Sequence, residues 1–398
     1  MLKHLFRLMW NKKRGHVLLI VEILAAFLVL FGVTSLITYN LGNYRQPLGY
    51  DYRDAWTISF DARGMSDTAA SDLMRQLKAR TQAYSEVQAV SLFSNNTPLS
   101  QSHSNTDIFY GKIRQHTDRF HTDRDFARTL NVPVREGRWF DPSDEGEGVK
   151  PVVINQPLRE ALFGTGQAVG KLVTFSDPFD KNVNDNEKFR VVGVIGNFKS
   201  RGEYQRNDPG VFEYVRESKP HWLRTLIVKV APGTDASFEA KLMKDYAAMT
   251  KDWNVDVSYL EKQRKTTQNI TLVPVLIFLI VSGFLLINVA LGLFGVLNLS
   301  IAKRRSEIGV RRAMGATAGV ITAQFVGEIW VLATFGVLIG LIFAAQFPIL
   351  RVFDLEPGVY LWAIGVSALV IFIIVTLCAI YPSRQAARVQ PSVALHEE

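Results

Sequence analysis

Gly164-Thr-Gly-Gln-Ala-Val-Gly-Lys-Leu172 has the glycines and lysine of a phosphate-binding loop, but not their spacing. The motif needs glycine at position 165, which is Thr165, and a Ser/Thr for magnesium where Leu172 stands. The stretch therefore reads as a loop beside a strand. Two His and three Asp fall within His116–Asp125, without a tight zinc spacing, and this run reads as a solvated turn. Asp180–Glu187 has the oxygen donors of a calcium loop. Asp185 stands where glycine is needed and Val191 where glutamate is needed, which leaves a polar hairpin loop. Neither His-Glu-x-x-His nor Gly-x-Ser-x-Gly occurs, so hydrolase chemistry has no local motif.

The remaining charged positions of interest lie in and beside apolar runs. Gln324 and Glu328 are four apart, on one face of a helix, inside a long apolar stretch. An acid there is costly and points to function, against the simpler reading that it pairs with a neighbouring helix or faces headgroups. Just before it, Ala302–Thr317 holds Lys303, Arg304, Arg305, Arg311 and Arg312 between two apolar runs. Such a cluster marks a cytoplasmic loop. Glu307 and Arg311 have the favoured i, i+4 order. Ile308 and Met314 give the segment an apolar side, and Gly309 and Gly315 permit close packing or a turn. The segment reads either as a solvated basic loop that only fixes topology or as a short helix that docks on a soluble partner, Ile308 and Met314 inserting and the arginines standing at the rim.

Four runs must position these residues. Spans are expected at 17–39, 271–299, 320–347 and 359–381, each meeting the roughly 20 residues a bilayer core requires. Glu22 lies in the first. The second exceeds the requirement and is expected to tilt or to extend as a stalk, with Pro274 near its outer end. Gly336 and Gly340 in the third have close-packing spacing. Residues 1–16 read as an amphipathic helix on the inner leaflet, 300–319 as the cytoplasmic segment, 348–358 as an outer loop and 382–398 as a cytoplasmic tail.

Residues 40–270 carry no spanning run and form the extracytoplasmic domain. Two βαβ patterns stand near its ends. One comprises Ala55–Asp61, a helix face of Leu73, Leu77 and Tyr84, and Val87–Phe93. The other comprises Thr225–Ala231, a face of Phe238, Leu242, Tyr246 and Met249, and Val255–Leu260. Their matching order suggests a duplicated unit split by a β-rich insertion at about 118–199. The fold class is thus an α-helical membrane protein of four transmembrane helices with a large extracytoplasmic α/β domain.

The chain has 398 residues and a formal net charge of +8. Residues 1–16 carry five Lys/Arg and no acid, and residues 300–320 carry five against Glu307. Outside these segments the charges nearly cancel, so the excess describes membrane orientation and makes no case for nucleic acid. The single cysteine, Cys378, lies in an apolar run and leaves the large domain without a disulfide.

The string Arg304–Thr317, RRSEIGVRRAMGAT, resembles the coupling helix of FtsX/MacB-type permeases of ABC transporters, most specifically over Glu307–Ala316 and including Ala313. Asn131–Phe140, Val152–Gly164, Val169–Val173 and Phe189–Lys199 resemble that family's outer domain, and Tyr381–Leu395 resembles its cytoplasmic tail. The resemblance implies a permease subunit that passes motion from a cytosolic ATPase dimer to the outer domain. Drugs, peptides and lipoproteins are the cargo classes. It implies pairing with itself or a similar permease, in a bacterial inner membrane among lipid, with both termini cytoplasmic. A periplasmic adaptor and an outer-membrane channel are further partners it allows. No cofactor is expected on this chain, with no catalytic or metal site; ATP and magnesium belong to the separate ATPase. The alternative is an FtsX-like activator of a cell-wall hydrolase that transports nothing.

Overall fold

The computed structural model describes residues 13–61, 66–146, 148–177, 187–216, 223–250, 253–352 and 355–387. The expected amphipathic helix of residues 1–16 and the loop of Asp180–Glu187 lie almost wholly outside them, as does most of the tail. In chain order the elements begin with α1 (Lys13–Tyr44), β1 (Ala55–Asp61), α2 (Asp67–Gln82) and β2 (Val87–Phe93). Next come β3 (Asn105–Tyr110), β4 (Ile113–Thr122), α3 (Phe126–Thr129), β5 (Val134–Gly137), β6 (Lys150–Asn155) and α4 (Gln156–Phe163). Then β7 (Leu172–Thr174), β8 (Lys188–Ile195), β9 (Gly210–Tyr214), β10 (Thr225–Val230), α5 (Ala236–Thr250) and β11 (Asn254–Tyr259) complete the strands. The chain ends in α6 (Leu260–Lys303), α7 (Arg305–Ala313), α8 (Ala318–Ala344), α9 (Gln346–Leu350) and α10 (Pro357–Ala387).

The chain divides into a membrane unit, residues 1–42 and 272–398, and an α/β unit, residues 43–271. In the membrane unit, α1, α6, α8 and α10 are each long and apolar enough to cross a bilayer. A helix is the solution here because it satisfies its own backbone where water is absent. The 44 residues of α6 correspond to a length of about 66 Å, far beyond the hydrocarbon core. Leu19, Ile23, Phe27, Leu293, Phe325, Ile329, Ile371 and Val375 form the shared core. Gly336 and Gly340 sit against α1: a Cβ at Gly340 would fall 2.4 Å from the Phe27 ring, and one at Gly336 2.8 Å from Ile23. These two glycines thus let α8 approach α1 closely. Gly292 makes room for Glu22 in the same way, since its Cβ would lie 2.7 Å from the Glu22 carboxylate.

In the α/β unit the two βαβ patterns interleave in one sheet, in the order β11-β1-β10-β2, with every neighbour antiparallel. This is the split βαβ arrangement, in which each half contributes alternate strands. Met74 and Leu77 of α2 and Phe238, Leu242 and Tyr246 of α5 cover it, packing on Ile58, Val90, Leu226 and Val228. Between the halves, pairings run β4-β3-β7-β8-β6-β9 and return from β9 to β4, closing a ring. Phe93, Phe120, Phe126, Phe198 and Phe212 form one aromatic core against it, while Leu158 and Leu162 of α4 help fill a second.

The ring corrects two expectations. The insertion is wider than 118–199, because β3 already belongs to the ring and β9 closes it at Tyr214. His116–Asp125 is no solvated turn: His116–Thr122 lies in β4, paired with β3 and β9, and Asp118 and Asp123 are buried. Both acids find charge partners remote in sequence, Arg201 for Asp118 at 2.9 Å and Lys78 for Asp123 at 2.7 Å. Among the described residues no His, Cys, Asp and Glu cluster is arranged to hold a metal.

Candidate coupling site

The segment Arg305–Ala313 folds as a helix because its charges suit its ends. Glu307 lies in the first turn, and Arg311 and Arg312 in the last, each opposing the local end of the helix dipole. The helix stops at Gly315, whose φ of +96° is the left-handed conformation that glycine adopts without penalty. Gly315 N–H donates to the Arg312 carbonyl at 3.1 Å, and Ala316 N–H to the Arg311 carbonyl at 3.0 Å, which is the Schellman pattern. Two residues later Thr317 opens α8, its hydroxyl accepting from Val320 N–H at 3.4 Å. The sharp turn folds α7 back beside the first turns of α8.

A chain of polar contacts joins the two helices. Arg311 pairs with Glu307 at 2.6 Å and donates to Gln324 Oε1 at 2.7 Å. Gln324 Nε2 donates to Glu328 Oε1 at 3.4 Å, and Arg304, just before α7, pairs with the same oxygen at 2.8 Å. The two ends of α7 are therefore held to one face of α8, by Arg304 at the start and Arg311 in the last turn. Between these holds Ile308, 4% exposed, joins the membrane core with Leu297, Ile321 and Phe325. Gly309 is buried beside it. Arg312 is half-buried and donates to the Ala316 carbonyl at 3.3 Å.

The expected apolar pair is thereby divided. Ile308 packs on its own bundle, whereas Met314 is 77% exposed. At about 100° per residue, positions six apart lie about 120° apart around a helix, so these two side chains never shared a face. Val310 is also exposed and stands four before Met314, on the same face as it. Arg305 and Ala313 are exposed as well. The missed residue is Val310, and i, i+4 spacing was the signal for it. Glu328 is a partner of Arg304, in keeping with the simpler of its two readings, and Gln324 carries the contact on to Arg311. Gly336 and Gly340 belong elsewhere, at the α1–α8 contact.

The phosphate-loop near miss runs the wrong way for nucleotide: Gly164–Leu172 follows helix α4 and leads into strand β7. A phosphate loop leaves a strand and opens a helix, whose N-terminus receives the anion.

Four spanning helices, an α/β domain inserted after the first, and a short amphipathic helix clamped between the second and third define the class, a membrane permease subunit. Residues 20–244 match the family model of the MacB-like periplasmic core domain, and residues 279–391 that of the FtsX-like permease C-terminal region. The chain belongs to this MacB-like, FtsX-type family of ABC transporter permeases. It is 26% identical over 310 residues to the macrolide export ATP-binding/permease protein MacB of Wolinella succinogenes, covering 73% of this chain and 45% of that one. It is 24% identical to the pyoverdine export ATP-binding/permease protein PvdT of Pseudomonas aeruginosa, over 72% of this chain and 43% of that one. An uncharacterised ABC transporter permease of Methanocaldococcus jannaschii is 25% identical, over 69% and 68% of the two chains. The chain thus spans less than half the length of the first two relatives. Among solved structures, the periplasmic region of MacB from Actinobacillus actinomycetemcomitans aligns with 55% of this chain and 94% of its own, at a TM-score of 0.38 and 14% identity.

Proposed function

We propose that this chain is the permease of an export-type ABC transporter, in which α7 receives the movement of a cytosolic ATPase and hands it to the membrane helices. The observation that carries this is the division of α7 into two faces. One face is fastened to α8 through Arg304, Ile308 and Arg311; the other offers Val310 and Met314 outward among arginines. Apolar contact supplies affinity in such a surface and charge fixes its orientation. Because α7 is held at both ends, a push on Met314 is delivered to α8 as well as to α6. In this reading the α7 end of the bundle is cytoplasmic, with both termini on that side and the α/β domain across the membrane, as the basic segments favour. ATP and magnesium bind the ATPase, a subunit separate from this permease.

A second permease fits against α6, the least covered of the four spanning helices. Val273, Ile277, Ile280, Phe284, Ile287 and Leu291 stand exposed along it at alternating steps of four and three. That spacing is the seam of paired helices. The export names of the relatives favour transport over activation of a cell-wall hydrolase, and drugs, peptides and lipoproteins are the cargo classes to screen. The test is the double variant Val310→Asp with Met314→Asp. It should reach the membrane at normal levels and fail to co-purify with the ATPase. Retained co-purification would reduce α7 to a topological loop.

A further inference from the structure

Residues 197–207 of the α/β unit make polar contacts with both helix ends that enter this unit. Lys199 is 1% exposed, and its ammonium donates to the carbonyls of Asn43 and Glu203, the latter at 3.1 Å. Asn43 lies in the last turn of α1, where carbonyls have no donor within the helix. A buried cation there caps the helix end and opposes its negative pole. Asn43 Nδ2 donates in return to the Tyr204 carbonyl at 3.0 Å, and the Tyr204 ring stacks on Tyr44 at 5.3 Å. The segment after α1 is fitted just as closely. Gly49, at a φ of +90°, lies where any Cβ would fall 1.7 Å from the Asn197 carbonyl oxygen.

The same loop holds α6. Glu203 is ion-paired with Arg264 and accepts from Gln268 Nε2 at 3.0 Å. Arg264 in turn lies over the Tyr52 ring at 4.5 Å. Thr267 donates to the Leu99 carbonyl at 3.3 Å, and Leu99 N–H donates to the Ser200 carbonyl at 2.6 Å. An apolar side chain would fill the site of Lys199 without the desolvation that a buried ammonium suffers. What the charge adds is a pair of bonds to carbonyls, one of them on α1.

We infer that the loop Asn197–Asn207 is a clip that joins the end of α1 to the start of α6, with Lys199 as its positioning residue, so that both helix ends move as one body with the domain. This deepens the permease reading and rests on it, because a clip matters when motion must pass through two helices at once. The experiment uses the full chain in lipid nanodiscs, with Cys378→Ser and spin labels at Arg45→Cys and Lys265→Cys, both exposed positions. The unmodified clip should give a single narrow distance distribution. Lys199→Met should lose it, and so should Arg264→Met, which cuts the other arm. Lys241→Met, on α5, should keep it. Hydrogen exchange in β6 and β8 should stay unchanged throughout. An unaltered distribution in both clip variants overturns the inference. Faster exchange of β6 and β8 in Lys199→Met also overturns it, by making Lys199 a support of the whole domain. No ATPase is present in this measurement, so a failure of ATPase docking on α7 sinks the permease reading and leaves the distance result standing.

Discussion

The α/β unit and the α7–α8 joint each contain acids held by basic side chains, and they hold them differently. Inside the α/β unit Asp123 is fully buried. It accepts from Lys78 at 2.7 Å, from Ser91 at 2.7 Å and from the Leu92 N–H at 2.8 Å. Burial by itself would lower the Lys78 pKa, but the carboxylates of Asp123 and Asp125 outweigh it and hold it above the ordinary lysine value. At the joint, Glu328 and Arg304 keep about a fifth of their side-chain surface exposed, and Glu307 and Arg311 nearly half. The first cluster is an architectural fixture, because opening it strands a charge in an apolar interior. The second is less enclosed by protein, so parting it leaves less charge stranded in a packed interior.

Removing one partner from the buried cluster should show the largest effect. Lys78→Met leaves Asp123 without its cation, and a stranded buried charge typically costs about 3–5 kcal/mol. Urea unfolding of the full chain in detergent, followed at the α/β unit, should shift by that order. A shift under about 1 kcal/mol would make the buried pair no firmer than a surface one. Next is Val310→Asp with Met314→Asp. Placing two charges in a desolvated contact should weaken ATPase binding by roughly 3 kcal/mol or more, about a hundredfold, with unfolding of the chain unmoved. Ile308→Asp should behave in the opposite manner, lowering membrane levels, because that side chain lies in the bundle core.

The part of this architecture legible in the sequence is the part that solvent dictates. A spanning run must be apolar for about 20 residues, so the four helices are visible in composition alone. β1 and β2 also emerge with their bounds, because Ala55–Asp61 and Val87–Phe93 alternate and flank an amphipathic helix. The ring does not, because it is closed by Asp118 of β4 meeting Gly210 of β9, a pairing with no local signature. The same distance conceals the burial of Asp118 and Asp123, whose polar character suggests solvent and whose partners Arg201 and Lys78 are remote in sequence. At the joint, the shared face of Gln324 and Glu328 was plain from spacing. Their partners Arg304 and Arg311 were not, since only the turn at Gly315 brings α7 alongside.

The clip offers an intermediate case, with a pH test. Burial pulls the Lys199 ammonium down to about 8, against 10.5 for an ordinary lysine, with the nearby Glu203 carboxylate resisting. The folded chain therefore releases this proton at a lower pH than the unfolded chain does. Between about pH 8 and 10.5 the unfolded state binds more protons, so stability gained from this residue rises with pH across that window and is lost as pH falls through 8. The unfolding free energy of the wild-type chain minus that of Lys199→Met should climb over this range. A flat difference would place Lys199 in contact with water and weaken the contrast between fixture and joint.

The smallest effects belong to the joint, and their pattern matters more than their size. Glu328→Gln leaves Arg304 facing a neutral acceptor, a loss on the order of 1 kcal/mol, and Glu307→Gln removes an exposed i, i+4 pair worth at most about 0.5 kcal/mol. Glu328 lies on α8 and away from the Val310–Met314 face, so ATPase co-purification should persist in Glu328→Gln. Glu307 stands seven before Met314 and borders that face, so Glu307→Gln should cost some ATPase binding, which the comparison removes by counting the ATPase bound. Glu328 accepts from Arg304 and from Gln324, and therefore stands where the contacts from the two ends of α7 converge on α8. Glu307 pairs with Arg311, at the other end of α7, and Arg311 keeps Gln324 when that pair is lost. ATP-driven function should accordingly fall in Glu328→Gln and stay near wild type in Glu307→Gln. The two are compared by function per unit of ATPase bound in the same membranes. Equal function in both variants would mean that the convergence at Glu328 transmits nothing, and that α7 passes its motion through Ile308 and the chain connection to α6 alone.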